Sequence, residues 1–339
     1  MPLLVLEEKK MFDTPLGIAL FVVLVLLGTA TLGFILYMIW YTVAGHILRY
    51  AVLTRTKKTK WTHGAGAKNP VTEMIYKEGE KWLEENKQYK KDLHIVNDGL
   101  NLYGEYFDFG FDRAVIFVSG RTEASNYGYY FTQPYRGWGF NVFVFDQRAH
   151  GKSDGKYNTL GFEEHKDLIK WAELLHNEFN VKSIVLHGVC IGSSCCLQAL
   201  ISPACPDYLN GMIADGMYTR FADSFNNHLT KKFKQPAFPT MYAADLSFKL
   251  ATGHSMRYGN IDFIDRLTKP ILFIHSKEDR YSLPYMADAL YERVPHENKK
   301  IVWFEHGKHS HLRPTDSEKY DGAVKEFLVE YFDGALAAK

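Results

Sequence analysis

From Leu16 to Ala44 the chain carries no charged side chain (LGIALFVVLVLLGTATLGFILYMIWYTVA). A helix needs about 20 consecutive apolar residues to cross the hydrocarbon of a bilayer, and this run exceeds that. A buried core helix rarely stays apolar for so long, and a cleaved signal peptide has a shorter apolar stretch with a small-residue cleavage site. Tyr37, Trp40 and Tyr41 gather towards one end of the run, where amphipathic rings favour the headgroup zone. The run predicts a transmembrane helix over 16–44 behind an N-terminal tail, 1–15, with the lipid bilayer as its partner.

Charges on either side predict an orientation. Lys9 and Lys10 precede the run, among Glu7, Glu8 and Asp13, whereas Arg49, Arg55, Lys57, Lys58 and Lys60 follow it. Counting Lys and Arg puts the C-terminal side in the cytoplasm. Residues 45–70 then read as a basic juxtamembrane linker, its cations a stop-transfer flank more than a specific lipid site. A net charge of +1 over 339 residues argues against nucleic acid as a partner. Cys190, Cys195, Cys196 and Cys205 lie close together, two of them adjacent, unlike a secreted disulfide framework. No CxxC pair or His/Cys spacing suits zinc, and no metal is expected.

Residues 71–339 read as one α/β domain. Glu73–Asn86 is a helix candidate, and Leu93–Val96 and Leu100–Tyr106 look like strands around the turn signal Asn97-Asp98-Gly99. Short apolar runs of the buried-strand type follow at Ala114–Val118, Val142–Phe145, Ile184–Leu186, Met212–Ala214, Ile271–Ile274 and Ile301–Phe304. Helical stretches such as Glu163–Glu178 and Met286–Arg293 separate most of them, which predicts a mostly parallel sheet of about eight strands covered on both faces. The roughly 55 residues between Ala214 and Ile271 are too long for a plain connection. They are rich in aromatics, among them Tyr218, Phe221, Phe225, Phe233, Phe238, Tyr242 and Phe248. They read as a helical cap, about 216–268, over the C-terminal edge of the sheet.

The chemistry centres on Gly188-Val189-Cys190-Ile191-Gly192, directly after the strand candidate Ile184–Leu186. A sharp strand-to-helix turn leaves no room for side chains two positions either side of its apex, and it exposes the apex residue in a strained conformation. The N–H of Ile191 then points at a developing oxyanion, and the helix dipole favours a thiolate. A nucleophile needs a base, and the base an orienting acid. Asp279 follows the strand Ile271–Ile274 in HSKEDRYSLP, and His309 follows Ile301–Phe304 in EHGKHSHL. Both are strand ends on one edge of a parallel sheet, where open α/β folds gather their active sites.

These motifs, in this order, make the stretch from Asp92 to Phe332 resemble the α/β-hydrolase superfamily, on its lipase, esterase and thioesterase-like branch with the serine aminopeptidase-type domains. FDQRAHGKSDG, from Phe145 to Gly155, is similar to the family's D-x-R-G-H-G-x-S turn, with Ala149 where glycine is usual. HSKEDRYSLP is similar to its acid loop H-G-x-x-D-x-x-V-P, with Ser276 for glycine and one extra residue before the proline. The resemblance implies the α/β-hydrolase fold and a Cys190–His309–Asp279 triad with elbow glycines Gly188 and Gly192. The family's usual apex is serine. Similar cysteine elbows occur in dienelactone hydrolases and polyhydroxyalkanoate synthases, where the thiol is the working nucleophile. The family's His-Gly after the third strand stands here as Ser119-Gly120-Arg121-Thr122, so by position the N–H of Arg121 is the second oxyanion donor. The Arg121 side chain itself suits a surface ion pair better than an anionic substrate group.

Rivals exist for each role. Ser193 and Ser194 lack flanking glycines at the right spacing and suit the first helical turn. Asp215 is a rival acid one strand earlier. His306 and His311 flank His309; the small Ser310 after it favours His309, leaving His306 as a turn residue and His311 as a surface one. His187 reads as a packed neighbour of the elbow, and Asp146, Arg148 and His150 as braces of their loop. The aromatic stretch Tyr127–Tyr135 suits an acyl pocket or the core face of the first covering helix equally well. Together the residues and the resemblance imply a membrane-anchored enzyme acting on an ester or thioester of a hydrophobic acyl group, with no cofactor. An acyltransferase with the same residues, a serine-type esterase carrying a Ser-to-Cys change, and a silent membrane-tethered binding module remain as alternatives.

Overall fold

The computed structural model describes residues 14–56, 61 and 69–332. Of the cations on which the orientation rests, Arg49 and Arg55 are described and Lys9, Lys10, Lys57, Lys58 and Lys60 lie outside the described residues, as do most of the tail and most of the linker beyond Thr56.

Eight strands form one sheet: β1 Lys90–Asn97, β2 Leu100–Phe107, β3 Arg113–Val118, β4 Asn141–Phe145, β5 Ser183–Val189, β6 Leu209–Asp215, β7 Ile271–Ser276 and β8 Lys299–Phe304. Their spatial order is β1-β2-β4-β3-β5-β6-β7-β8. β1 pairs antiparallel with β2, and β2 with β4; all other pairs are parallel. The β1–β2 hairpin turns at Asp98 and Gly99, both at positive φ (49° and 74°), as a tight two-residue hairpin loop requires.

Alternation along the strands sorts the core into two layers. On β5, Ile184 and Leu186 face Trp171 and Leu175 of α4 (Glu164–Phe179) and Leu197 of α5 (Ile191–Leu200). Val185 and Val189 face the other way, towards Phe131 of α3 (Ser125–Thr132) and Phe327 of α10 (Ser317–Phe332). The buried aromatics of Tyr127–Tyr135 belong mainly to this second layer, so the first covering helix is their principal setting. Shorter helices complete the chain: α2 Pro70–Asn86, α6 Phe221–Asn227, α7 Thr240–Thr252, α8 Pro284–Arg293 and α9 Leu312–Thr315. α6 and α7 lie in the 216–268 interval and form the cap with a single π turn, His228–Lys232, between them.

The N-terminal helix differs from its sequence-based limits. α1 runs unbroken from Pro15 to Leu53, with Pro15 at its first position and the Thr14 hydroxyl accepting from the Gly17 N–H at 3.1 Å. Its apolar part is long enough to cross a membrane and has no buried residues. Residues 45–53, read from sequence as linker, continue the helix because they have something to pack against. Gly45, Arg49 and Leu53, four apart, are buried and so share one face. That face lies on α7: a Cβ on Gly45 would sit 2.2 Å from the Thr240 carbonyl oxygen and 2.9 Å from the Ala243 Cβ. Arg49 donates from Nε to the Ser247 hydroxyl at 3.0 Å and from Nη1 to the Thr54 hydroxyl at 2.9 Å. Beyond the helix the chain is tied to the loop after β4, Arg55 donating to the Ser153 and Gly151 carbonyls at 2.5 and 2.6 Å.

Only a hydrogen fits at Gly45, because the obstacle is backbone. Gly45→Leu is expected to pry α1 from the cap at a cost of about 1–3 kcal/mol. In detergent, the variant should melt earlier and be cut faster by protease near Leu53 than the parent protein.

Candidate active site

β5 ends at Val189 and α5 begins at Ile191, so Cys190 alone makes the turn between them. Its backbone sits at φ 56°, ψ −116°, a conformation that costs on the order of 1–3 kcal/mol and persists only when its surroundings enforce it. The Cys190 N–H donates to the Asp215 carbonyl at 2.8 Å, and the Ser193 N–H donates to the Cys190 carbonyl at 3.1 Å. A Cβ on Gly188 would lie 2.5 Å from the Ser193 nitrogen, and one on Gly192 would lie 2.0 Å from the Val118 carbonyl oxygen. Backbone occupies the space on both sides of the apex, and glycine is what fits.

His309 and Asp279 meet at this turn from the loops after β8 and β7. The Asp279 carboxylate accepts from the Tyr281 and Ser282 N–H groups at 2.7 and 2.9 Å through Oδ1, and from His309 Nδ1 at 2.7 Å through Oδ2. An acceptor-only carboxylate keeps the proton on Nδ1 and leaves Nε2 for the thiol. Burial disfavours a charged His309, but the negative charges of Cys190 and Asp279 and hydrogen bonds to both outweigh it, raising its pKa well above the usual range. Gly216, at φ 63°, lies against the ring: a Cβ there would sit 3.1 Å from both Cε1 and Nδ1.

The loop after β3 borders the thiol, since a Cβ on Gly120 would be 3.7 Å from the Cys190 Cβ. It is braced by the turn after β4, where Gln147 donates to the Ser119 carbonyl at 2.7 Å and His150 Nε2 lies 2.6 Å from the Arg121 carbonyl. Asp146 accepts from the Ser125 and Lys152 N–H groups at 2.7 and 2.8 Å, and Arg148 holds Asp167 through two nitrogens. Ile191 opens α5, where backbone N–H groups have no intrahelical acceptor. Among the described residues the Arg121 guanidinium makes no ion pair, although the sequence suits one. It donates to the Val52 carbonyl at 3.1 Å, because the last turn of α1 brings free carbonyls within its reach.

A cavity of about 430 Å³ opens above Cys190. Its lining is mixed: Leu48 and Val52 of α1 and Phe221, Phe225 and Phe233 of the cap are apolar, and Thr72, Thr122, Glu123 and His311 are polar. The contributions of Leu48 and Val52 had no signal in the sequence, where they fall in a segment read as linker. His311 is half-buried in the cavity wall and lies 3.5 Å from the Thr72 hydroxyl, whereas a surface position was expected. Tyr127 also reaches the cavity, its hydroxyl donating to the Ser310 carbonyl at 2.9 Å.

The other rivals have structural partners. Ser193 donates to the Gly188 carbonyl at 2.7 Å, and Ser194 accepts from Asn260 at 2.9 Å. His306 is exposed and paired with Glu278. Asp215 does not touch His309; it ends a buried chain of hydrogen bonds. Its Oδ2 accepts from the Tyr320 hydroxyl at 2.9 Å, that hydroxyl lies 2.9 Å from His187 Nε2, and His187 Nδ1 lies 3.0 Å from the Tyr135 hydroxyl. With Asp215 ionised, donation runs one way, from Tyr135 through His187 and Tyr320 to the carboxylate. Burial, with a smaller contribution from Arg313, lowers the His187 pKa to about 3, so it is neutral and carries one proton.

Burial raises the Asp215 pKa to about 7, against the hydrogen bond from Tyr320 and the charge of His309 and with help from Asp279. Between the ordinary carboxylate range and about pH 7 the folded protein therefore holds a proton that the unfolded chain releases. This contribution to stability is complete below that window and is lost as the pH rises through it. Asp215→Asn is expected to remove the loss, so its melting temperatures at about pH 5 and about pH 8 should lie closer together than the parent's. Gly216→Ala, by contrast, should displace His309 and slow alkylation of Cys190 by about tenfold or more, read by mass spectrometry against time.

The comparisons agree with this fold. A family model described as "alpha/beta hydrolase fold" matches residues 113–257. The Bacillus subtilis protein YqkD is 34% identical over 196 residues, covering 56% of this chain and 62% of the relative. The membrane protein YNL320W of Saccharomyces cerevisiae is 24% identical over 197 residues, covering 58% of this chain and 63% of the relative. The chain thus spans 62–63% of the length of these curated relatives. Among solved structures, the Pyrococcus furiosus esterase Pf2001 superposes with a TM-score of 0.61 at 23% identity, over 74% of this chain and 94% of that one. The 2,6-dihydroxy-pseudo-oxynicotine hydrolase superposes with a TM-score of 0.55 at 16% identity, over 75% of this chain and 73% of that one. The chain is a protein of the α/β-hydrolase fold.

Proposed function

We propose that the protein is a membrane-anchored hydrolase that cleaves an ester or thioester of a hydrophobic acyl group through an acyl-Cys190 intermediate. The observation that carries this reading is the thiol at a strained apex beside the hydrogen-bonded His309–Asp279 pair, in the wall of a cavity lined in part by apolar side chains of α1 and the cap. The solved neighbours, one an esterase and one a hydrolase, support the reaction class. The membrane name of the yeast relative and the length of α1 support the anchor. The catalytic domain lies on the cytoplasmic side by the distribution of cations.

The steps follow from the groups present. His309 Nε2 holds the Cys190 proton, and the thiolate attacks the acyl carbonyl while the N–H groups of Ile191 and Arg121 hold the oxyanion. Collapse breaks the bond to the leaving alcohol or thiol, which takes the proton from His309. Water then gives a proton to Nε2 and attacks the thioester; the acid departs and the proton returns to Cys190. The apolar lining residues suit the acyl chain, and the polar ones, Glu123 and His311 among them, suit the leaving group. Asp279 keeps a proton on Nδ1 throughout, so Nε2 is the nitrogen that gives and takes protons.

Intact-protein mass spectrometry on detergent-solubilised protein tests the reading, with p-nitrophenyl esters and acyl-thioesters as probes. An acyl adduct on Cys190 is expected, with turnover abolished in Cys190→Ala and reduced by about a hundredfold or more in His309→Ala. Far higher turnover in Cys190→Ser would instead make cysteine a substitution in a serine-type esterase. Absence of adduct and turnover in every form would sink the proposal.

A further inference from the structure

A second cavity, of about 390 Å³, lies between α1 and the cap. Trp40, Tyr41, Ala44 and Leu48 of α1 line one side; Leu229, Phe233, Gln235 and Thr240 line the other. Leu48 and Phe233 also line the cavity above Cys190. The two spaces are therefore neighbours across one pair of apolar side chains.

The height of this cleft along α1 is fixed by a hydrogen bond. The Tyr37 hydroxyl donates to the Phe238 carbonyl at 2.8 Å, so the cap loop lies abreast of a residue within the charge-free run. At 1.5 Å per residue, Tyr37 is about 10 Å inside the end of that run at Ala44. The run, about 44 Å long, exceeds the hydrocarbon thickness of about 30 Å, so Tyr37 and the loop around Phe238 lie at the headgroup level, where the rings of Tyr37, Trp40 and Tyr41 are expected.

The cap's outer face suits that position. Phe238 is 54% exposed, and Tyr242, Leu246 and Leu250 are exposed on α7. The last three are four residues apart and form one stripe. Lys231, Lys232 and Lys234 sit in the same segment, where anionic headgroups would meet them. An apolar stripe beside a basic segment is the composition of a surface that lies in a membrane interface.

We propose that the cleft between α1 and the cap binds the acyl chain of a bilayer lipid and delivers it sideways into the Cys190 cavity, with Leu48 and Phe233 as the inner gate. This rests on the reading of α1 as a membrane span, and it deepens the proposed function by making the substrate a lipid that need not leave the bilayer. The volume falls in the range of about 300–1,000 Å³ that small-ligand sites occupy. The chain would pass Trp40 and Ala44, cross between Leu48 and Phe233, and lay its carbonyl at the thiol.

Photocrosslinking tests binding without relying on turnover. Full-length protein carrying Leu229→benzoylphenylalanine, in vesicles of phosphatidylcholine and phosphatidylserine, is irradiated and weighed intact. One phospholipid mass should be gained there, and also at Leu36→benzoylphenylalanine on the exposed face of α1, but not at Phe327→benzoylphenylalanine in the core. A gain at Leu36 with none at Leu229 overturns the cleft, and no gain at Leu36 overturns its membrane premise. The route is read separately from the ratio of kcat/KM for p-nitrophenyl palmitate in the vesicles to that for p-nitrophenyl acetate. Ala44→Trp should lower this ratio by about tenfold or more, and an unchanged ratio overturns the route. If the parent protein turns over neither ester, the esterase reading fails while a lipid adduct at Leu229 still upholds the binding site.

Discussion

The contact between Gly192 and the end of β3 governs the rest of the site. Because the first turn of α5 lies against the Val118 and Ser119 carbonyls, the elbow and the loop after β3 are held as one piece. Cys190, the Ile191 N–H and the backbone of Gly120 and Arg121 therefore share one small space. A side chain at position 192 would separate them before it affected any group that does chemistry. The positive φ of Cys190 is a local cost of this arrangement, offset by the parallel β3–β5–β6 pairing that anchors the turn on both sides.

The sheet then does for His309 and Asp279 what the elbow does for Cys190. Parallel strands put the loops after β7 and β8 on the same edge, and the Asp279 carboxylate is positioned by two backbone N–H groups before it meets the imidazole. Asp215, one strand earlier, has a buried carboxyl directed into the core, where the Tyr320 hydroxyl donates to it and is itself bonded to His187. Two acids near one histidine are thus separated in role by what surrounds them. One sits among donors that favour its charge, and the other sits in a medium that disfavours it.

Much of this was legible in the residues. Apolar runs of four or five residues, each followed by a helical pattern, give the parallel sheet, and the paired glycines around Cys190 mark the elbow. The charge-free run defines α1 as far as Ala44. Its continuation to Leu53 was not legible, because Gly45, Arg49 and Leu53 form a face only once α7 is known to lie beside them. Arg121 is a similar case: nothing local indicates that its guanidinium meets the Val52 carbonyl, some seventy residues away in sequence. Ala149 shows the reverse. It stands where the resembling family has glycine, and it keeps the left-handed conformation, φ 66°, of that position, so the turn is preserved by its surroundings without the residue that suits it best.

α1 has no joint. It passes from its exposed apolar part to its packed face without a break, and Arg49, Arg55 and Arg121 fasten its lower end to the cap, to the loop after β4 and to the loop beside the thiol. A rod built in this way transmits tilt. If α1 spans a bilayer, as proposed, then when it leans to match the thickness of the sheet of lipid around it, the body fixed to its end must swing with it. The height and aim of the Cys190 cavity then become functions of bilayer thickness.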